Sequence, residues 1–249
     1  MIGKKLIQLH SVDSTNKAAH DILKWDQISE GTVITAWEQI AGRGQKGASW
    51  ESKPGENITL SLILYPDFIT AENIFVLNEF VSLAIREFLY ESTRLDFKIK
   101  WPNDIVIDNK KICGILIENI LRGQQVSQSI IGIGLNINQT VFNDYMPEAT
   151  SMKLQTGNDF NVLKSTELLC HKLDEIYDSL REGNRSQLHE QYKSHLFRLN
   201  EQHKYIMNDI VVELTITDVL MDGRIVLKSE KGDKFLFDAK ELKYIYQNS

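Results

Sequence analysis

The chain has 249 residues, of which 42% are hydrophobic and 25% are charged, a composition typical of a folded globular protein. Its formal net charge of −6 argues against non-specific nucleic-acid binding, which requires an excess of lysine and arginine. The two cysteines, Cys113 and Cys170, form no C-x-x-C pair, so neither a disulfide framework nor a zinc cluster is supported.

The hydropathy of the chain predicts its compartment. The N-terminus lacks the apolar core of a signal peptide. No stretch approaches the roughly 18–20 consecutive apolar residues that a membrane-spanning helix needs. Together with the low cysteine count, these features predict a soluble, cytoplasmic protein with no membrane partner.

The first half of the chain is predicted to hold three strands and two helices. β-Branched and apolar residues predict strands at residues 4–10, 32–37 and 57–65. Ser14, Thr15 and Asn16 are typical N-cap residues, and they predict that a helix starts here with its apolar positions on one face. Residues 72–90 predict a long, strongly apolar helix that packs on a sheet.

The second half of the chain begins with strands, returns to helix and ends in an all-β segment. Strands are predicted at residues 97–101, 104–108, 111–121 and 128–137, and helices at residues 161–182 and 186–203. Further strands follow, separated by predicted turns at Asp222-Gly223 and Lys231-Gly232-Asp233. Because the strands cluster instead of alternating with helices, we expect an α+β body with a mixed sheet at residues 1–203. A small barrel-like β domain is expected at residues 204–249.

A glycine-rich stretch lies between the second and third predicted strands. Its core, from Gly42 to Gly47, matches the pattern G-x-G-x-x-G. A dinucleotide-binding fold needs a helix directly after these glycines to receive the pyrophosphate, but Pro54-Gly55 and a strand follow. A Walker phosphate-binding loop also fails, because Lys46 precedes the last glycine, and the catalytic motifs of protein kinases are absent. The stretch is then either a flexible hairpin or a mobile cover for a ligand, and Arg43 favours the cover.

Two further features predict a binding site for an anion on the sheet. Between Lys98 and Lys111, four lysines and two aspartates give a local excess of positive charge in an acidic chain. Gly114 and Gly132 interrupt apolar strands, where a glycine costs stability unless another group approaches closely. Taken alone, each feature has a simpler explanation in turn formation or solubility. The six histidines are scattered, and no motif for a protein-only metal site is present.

Five motifs in a fixed order resemble one family. They are "DSTN", "QIAGRGQKGASW", "KWPNDI", "KKICGILIE" and "GIGLNIN", which lie within residues 13–138. In this order they closely resemble the biotin–protein ligase family, and the resemblance extends over about residues 8 to 140. It implies a class II synthetase-like catalytic fold with a mixed sheet flanked by helices. The β-rich tail resembles that family's small, SH3-like C-terminal barrel.

The resemblance implies a two-step reaction. Such a ligase joins biotin to ATP as biotinyl-5′-AMP with release of pyrophosphate, with Mg²⁺ as the expected metal. It then transfers biotin to one lysine of the biotin carboxyl carrier domain of acetyl-CoA carboxylase or a related carboxylase. Two alternatives stay open: a lipoate or octanoate protein ligase with the same fold, and a non-catalytic biotin-binding regulator.

The resemblance also implies roles for individual residues. The expected catalytic residues are Lys111, Arg43 and Asp104, with Lys111 between the biotin carboxylate and the α-phosphate. The expected biotin-binding residues are Ser14, Thr15, Asn16, Gln39, Arg43, Gly44, Gln45, Lys111, Gly114 and Gly132. The expected ATP- or adenylate-binding residues are Arg43, Lys46, Trp50, Asn103, Lys111, Asn136 and Lys243.

The chain departs from the family pattern in two ways. The family loop commonly carries arginines where this chain has Gln45 and Ala48, which predicts weaker retention of the adenylate. Some relatives carry an N-terminal DNA-binding domain, whereas here the catalytic strand is predicted to begin almost at once. We therefore expect an enzyme that does not bind DNA. Relatives often pair through sheet edges, so the resemblance is compatible with a homodimer.

Overall fold

The computed structural model describes residues 1–143, 148–239 and 241–246, without the side chain of Lys46. Its first nine strands are β1 (Leu6–Val12), β2 (Val33–Gln39), β3 (Gly42–Arg43), β4 (Ser49–Trp50), β5 (Ile58–Leu64), β6 (Lys98–Lys100), β7 (Asp104–Ile107), β8 (Lys110–Arg122) and β9 (Gln125–Leu135). Seven of them form one sheet in the order β1-β2-β5-β9-β8-β7-β6. Only the β1–β2 pair in this sheet is parallel, so the predicted mixed sheet is confirmed.

The two faces of the sheet are covered unequally, and the described residues form five α-helices. They are α1 (Thr15–Leu23), α2 (Val76–Thr93), α3 (Met152–Thr156), α4 (Val162–Arg181) and α5 (Arg185–Ser194). The larger apolar core lies on the face covered by α2 and α4, where alternate residues of β5, including Leu60 and Leu62, are fully buried. A smaller cluster, with Ala19, Ile63 and Ile130, packs α1 on the opposite face. The α1 face is therefore only partly filled, and it leaves room for a site.

The helix boundaries follow local chemistry. The hydroxyl of Ser14 accepts a hydrogen bond from the backbone N–H of Lys17 at 3.2 Å, which confirms the predicted start of α1. Helix α2 starts later than predicted because a 3₁₀ turn occupies Ala71–Asn73. Its last residue is Thr93, and the next residue, Arg94, caps the helix in a left-handed conformation.

The predicted helix at residues 186–203 is wrong beyond Ser194. The backbone N–H of Ile99 donates to the carbonyl of His195 at 2.8 Å, and the N–H of Phe197 donates to the carbonyl of Ile99. The segment after α5 thus pairs with the edge strand β6 instead of continuing as a helix. This pairing depends on residues almost a hundred positions apart, and helical periodicity carries no information about it.

The last part of the described chain forms a second sheet. Its strands are β10 (Gln202–Met207), β11 (Ile210–Val219), β12 (Ile225–Lys228), β13 (Lys234–Phe237) and β14 (Leu242–Tyr244). They are antiparallel in the order β13-β12-β11-β10-β14, which agrees with the predicted all-β tail. The indole N–H of Trp101 donates to the carbonyl of Gly223 at 2.8 Å and joins this sheet to the body. The division into two domains at residue 203 stays a prediction.

A buried hydrogen bond between two side chains holds α5 against α2. Nδ1 of His189 lies 2.6 Å from Oε1 of Glu79, and their side chains are only 8% and 1% exposed. A buried carboxylate that loses its partner is strongly destabilising. This pair therefore fixes the packing of α5, from which the chain continues toward the second sheet.

We predict that His189→Leu lowers the free energy of unfolding by about 3–5 kcal/mol, because Glu79 stays buried without its partner. Urea denaturation followed by circular dichroism measures this loss. His171→Leu is the matched control, since His171 is 72% exposed and pairs with Glu175 at the surface. The control should lose only about 0–1 kcal/mol. Equal losses in the two variants would contradict the role of the buried pair.

Candidate functional site

A cavity of about 190 Å³ lies on the α1 face of the large sheet. It is bounded by the start of α1, the ends of β2 and β7, the first half of β8, the last part of β9, and the β3–β4 hairpin. Thirteen residues predicted from the sequence line it: Ser14, Thr15, Asn16, Gln39, Arg43, Gly44, Gln45, Trp50, Asn103, Asp104, Lys111, Gly114 and Gly132. The fold thus brings together segments that are far apart in the chain, from Ser14 to Gly134.

The glycine-rich stretch forms a hairpin over this cavity. Gly42 pairs with Trp50 across β3 and β4, and the backbone N–H of Gly44 donates to the carbonyl of Ala48 at 2.7 Å. Gly47 has a φ of 80°, which favours glycine at the tip. A strand, β5, follows the hairpin, so the predicted strand–loop–strand arrangement is confirmed and the helix of a dinucleotide fold does not follow these glycines.

A buried carboxylate lies between two lysines at one side of the cavity. Oδ1 of Asp104 lies 2.7 Å from Nζ of Lys111, and Oδ2 lies 3.0 Å from Nζ of Lys100. Asp104 is 8% exposed. It is the first residue of β7 and follows the turn, containing Trp101 and Pro102, that ends β6. Since two ammonium groups face one carboxylate, the cluster keeps a formal net charge of +1.

The two lysines decide the ionisation of Asp104. Burial on its own would raise the pKa of this carboxyl group, but the charges of Lys111 and Lys100 and their hydrogen bonds outweigh it. The pKa of Asp104 therefore lies below its ordinary value. Burial likewise would lower the pKa of Lys100, but Asp104 and Tyr246 raise it above its ordinary value. Asp104 and Lys100 therefore both remain charged near neutral pH.

Trp50 lies on the strands where glycines leave space. A side chain at Gly134 would overlap the indole of Trp50, and a side chain at Gly114 would crowd Trp50 and Lys111. Nζ of Lys111 lies 5.6 Å from the centre of the Trp50 ring. The group that approaches Gly114 is thus an aromatic side chain of the chain itself, together with Lys111, whereas the group that approaches Gly132 is the side chain of Asn16.

A second cavity, of about 270 Å³, adjoins the first and is also lined by Trp50. It shares Trp50, Asp104 and Lys111 with the first cavity and is also lined by Asn136. Nδ2 of Asn136 donates to the carbonyl of Thr150 at 2.9 Å, whereas its buried Oδ1 has no hydrogen-bond partner among the described residues. The unpartnered Nε1 of Trp50 is buried as well. Both atoms are suited to a polar ligand.

The floor of the first cavity is a polar network. Oε1 of Gln39 accepts from the backbone N–H of Thr15 at 2.8 Å and from its hydroxyl at 3.2 Å. The Ser61 hydroxyl lies 2.8 Å from the Thr15 hydroxyl and 2.6 Å from Oδ1 of Asn16. With Oε1 occupied, Gln39 has its amide N–H groups left to donate. The floor therefore offers directed donors and acceptors to a polar ring.

For three lysines, the predicted and the described site differ or cannot be compared. Lys243 is exposed on β14 and lines neither cavity. The side chain of Lys46 lies outside the described residues, so its role stays a prediction. Lys100 was not predicted as a site residue. It lies beside Asp104 because the turn within "KWPND" pairs these two residues across β6 and β7.

The second sheet also reaches the site. Nζ of Lys100 lies 5.3 Å from the ring centre of Tyr244 and 5.6 Å from that of Tyr246. The position of these tyrosines near the site was not predicted, because no pattern in the sequence around them indicates a contact with Lys100. Within the described part of the chain, no group of three His, Cys, Asp or Glu residues could hold a metal ion, and no helix could span a membrane.

Comparisons with known proteins agree with this geometry. The model of the biotin/lipoate A/B protein ligase family matches residues 9–136. The chain is 37% identical over 161 residues to the bifunctional ligase/repressor BirA of Bacillus subtilis, covering 63% of this chain and 49% of that protein. It is 34% identical over 136 residues to the biotin–[acetyl-CoA-carboxylase] ligase of Paracoccus denitrificans, covering 52% of this chain and 53% of that protein.

Solved structures extend the similarity over most of the chain. The biotin protein ligase of Aquifex aeolicus in complex with biotin and ATP superposes with a TM-score of 0.80 at 27% identity. The match covers 96% of this chain and 98% of that one, and so includes the second sheet. By contrast, the chain spans about half the length of the curated relatives named above.

We predict that Asp104→Asn lowers the free energy of unfolding at neutral pH by about 3 kcal/mol, because two lysines lose their buried partner. Because the pKa of Asp104 is lowered, this loss in the free energy of unfolding depends on pH. The carboxylate contributes fully above its unfolded pKa of about 4, and its contribution disappears as the pH falls through the lower folded pKa. Urea denaturation between about pH 6 and pH 3 should show the difference from wild type shrinking below about pH 4.

Asp222→Asn serves as the control, because Asp222 pairs with Arg224 at the surface, where both side chains are 43% exposed. Its loss should stay below about 1 kcal/mol at every pH. A difference between wild type and Asp104→Asn that stays constant with pH would contradict the ionisation assigned to Asp104.

Proposed function

This chain belongs to the biotin/lipoate A/B protein ligase family, and on that premise we propose that it is an ATP-dependent biotin–protein ligase. One observation carries the proposal: two cavities meet at Lys111, within a cluster of net positive charge and beneath the glycine hairpin. One cavity has the polar floor that a biotin ring requires, and the other has the aromatic and amide groups that an adenine requires. The shared lysine is where a carboxylate and a phosphate would meet.

In the first step, an oxygen of the biotin carboxylate attacks the α-phosphorus of ATP, and pyrophosphate leaves. The two reactants are anions and repel each other, so fixed cations lower the barrier. Lys111 supplies the cation at the meeting point, and Lys100 keeps the cluster positive despite Asp104. Arg43, exposed on the hairpin at the cavity edge, adds a further positive charge when the hairpin covers the site.

In the second step, the neutral amine of an acceptor lysine attacks the acyl carbon, the bond between this carbon and the phosphate oxygen breaks, and AMP leaves. The proton that the nitrogen loses passes to solvent water. Asp104 would hydrogen-bond this amine and orient it. Because its pKa is lowered, Asp104 is a weak base, so the proposal assigns it orientation instead of proton abstraction. The acceptor is expected to be the carrier domain of a biotin-dependent carboxylase, as the name of the Paracoccus relative implies for that protein.

The remaining predicted residues take roles consistent with their positions. Ser14, Thr15, Asn16 and Gln39 would bind the biotin ring from the floor, with Gly44, Gln45, Gly114 and Gly132 around it. Trp50, Asn136 and Asn103 would contact the adenylate, while Lys243 and Lys46 keep their predicted phosphate roles without support from the described contacts. Asp104 lies between two ammonium groups in a cluster of net positive charge, so it is a poor Mg²⁺ ligand. The ion would enter on the ATP phosphates.

The polar floor favours biotin over lipoate. The dithiolane ring of lipoate has no N–H or carbonyl group, so it would leave buried polar side chains without partners. Biotin carries a ring urea that can both donate and accept. A non-catalytic regulator is disfavoured because Lys111 is present and is held at the junction of the two cavities.

We predict pyrophosphate release that depends on both biotin and ATP, measured with a coupled enzymatic assay. Lys111→Ala should reduce the rate by about 100-fold or more, because the cation at the reacting centre is lost. Lys110→Ala is the matched control, since Lys110 precedes it on β8, pairs with Glu148 and lines neither cavity. Turnover without biotin, or faster turnover with lipoate, would refute the proposed function. Equal effects of the two substitutions would refute the role of Lys111.

A further inference from the structure

Behind the cavity floor, a carboxylate fixes the orientation of the Asn16 side-chain amide. Nδ2 of Asn16 lies 2.7 Å from Oε2 of Glu118, a residue of β8. An ionised carboxylate accepts hydrogen bonds and donates none, so the amide must direct its NH₂ group toward Glu118. The backbone carbonyl of Leu116, 3.4 Å from the same nitrogen, favours the same orientation.

The opposite side of the amide is consequently an acceptor. Oδ1 of Asn16 accepts from the hydroxyl of Ser61 at 2.6 Å and lies against Gly132, where a side chain would collide with it. A carbonyl oxygen has two lone pairs, and Ser61 uses one of them. Asn16 is 4% exposed and lines the cavity. A ligand in the cavity therefore meets an acceptor whose direction is already set.

Glu118 itself stays outside the cavity. Its side chain is 41% exposed, and on its outer side Nε2 of His20 lies 3.3 Å from Oε2. It does not line the first cavity, so it can influence a ligand there only through Asn16. Glu118 is in this sense a positioning residue.

We propose that Glu118 determines substrate specificity by fixing an acceptor in the cavity floor, which selects an acyl substrate whose ring carries an N–H donor. The inference rests on the proposed function and deepens it. The ring urea of biotin has N–H groups, whereas the dithiolane of lipoate has none. A substrate that lacks the donor leaves the second lone pair of the buried Oδ1 unused, and such an unmade hydrogen bond reduces binding. Without Glu118 the amide can reverse and present its NH₂ group to the cavity.

Steady-state kinetics of pyrophosphate release test the proposal in the wild type, Glu118→Ala and Glu118→Gln. Glu118→Ala should raise the KM for biotin about tenfold, with kcat and the KM for ATP within about twofold of wild type. Glu118→Gln should give a smaller increase, since glutamine can still accept from Asn16 but does not force its orientation. Glu213→Gln, at an exposed position of β11, is the control and should change nothing.

Desthiobiotin, which keeps the ring urea and lacks the sulfur, separates orientation from cavity shape. Its KM should rise in Glu118→Ala by the same factor as that of biotin. An unchanged KM for biotin, or a rise confined to biotin, would overturn the proposal, as would a loss in kcat with unaltered KM. Equal thermal midpoints verify that the variants fold. A wild type that releases no pyrophosphate with biotin would refute the proposed function instead.

Discussion

The site depends on one electrostatic arrangement, the carboxylate of Asp104 held between Lys100 and Lys111. A buried carboxylate next to a single lysine would form a neutral pair and offer no net attraction to anions. The second lysine leaves a positive charge that a carboxylate and a phosphate can share. It also keeps Asp104 ionised, because the two ammonium groups outweigh the cost of burial. The remaining groups of the site are arranged around this cluster, which both cavities share.

The sheet and the hairpin form the walls, the floor and the cover of the site around the charged cluster. Glycines on β8 and β9 admit the indole of Trp50, and this ring lines both cavities and contacts Lys111. In the proposed reaction, the hairpin would exclude water from the acyl-adenylate by covering it. On the floor, hydrogen bonds connect Gln39, through α1, to β5 and β8, so the donors and acceptors that face a ligand are fixed by the fold. The two tyrosines beside Lys100 connect the second sheet to the same cluster.

Features that depend on residues close together in the sequence were predicted correctly. The strands around Gly42–Gly47 excluded a dinucleotide fold, and the N-cap residues located α1. Contacts between residues that are distant in the chain were not predicted. The glycine at position 134 indicates that something approaches, but its occupant, Trp50, is 84 residues away and could not be named. Ser61 is a polar residue in an apolar strand, and Glu118 resembles an ordinary surface charge, so their roles appear only when the strands are paired. The segment after Ser194 is strand-paired by tertiary contact, against its helical periodicity.

The central claim is that the two cavities hold biotin and ATP so that their reacting groups meet at Lys111. The most direct test is mass spectrometry of the purified protein incubated with biotin, ATP and Mg²⁺ in the absence of any acceptor protein. The account predicts biotinyl-AMP bound to the protein in an amount equal to that of the chain, with an equal amount of pyrophosphate released. Absence of the adenylate, or formation of lipoyl-AMP but not biotinyl-AMP when both acids are supplied, would contradict it.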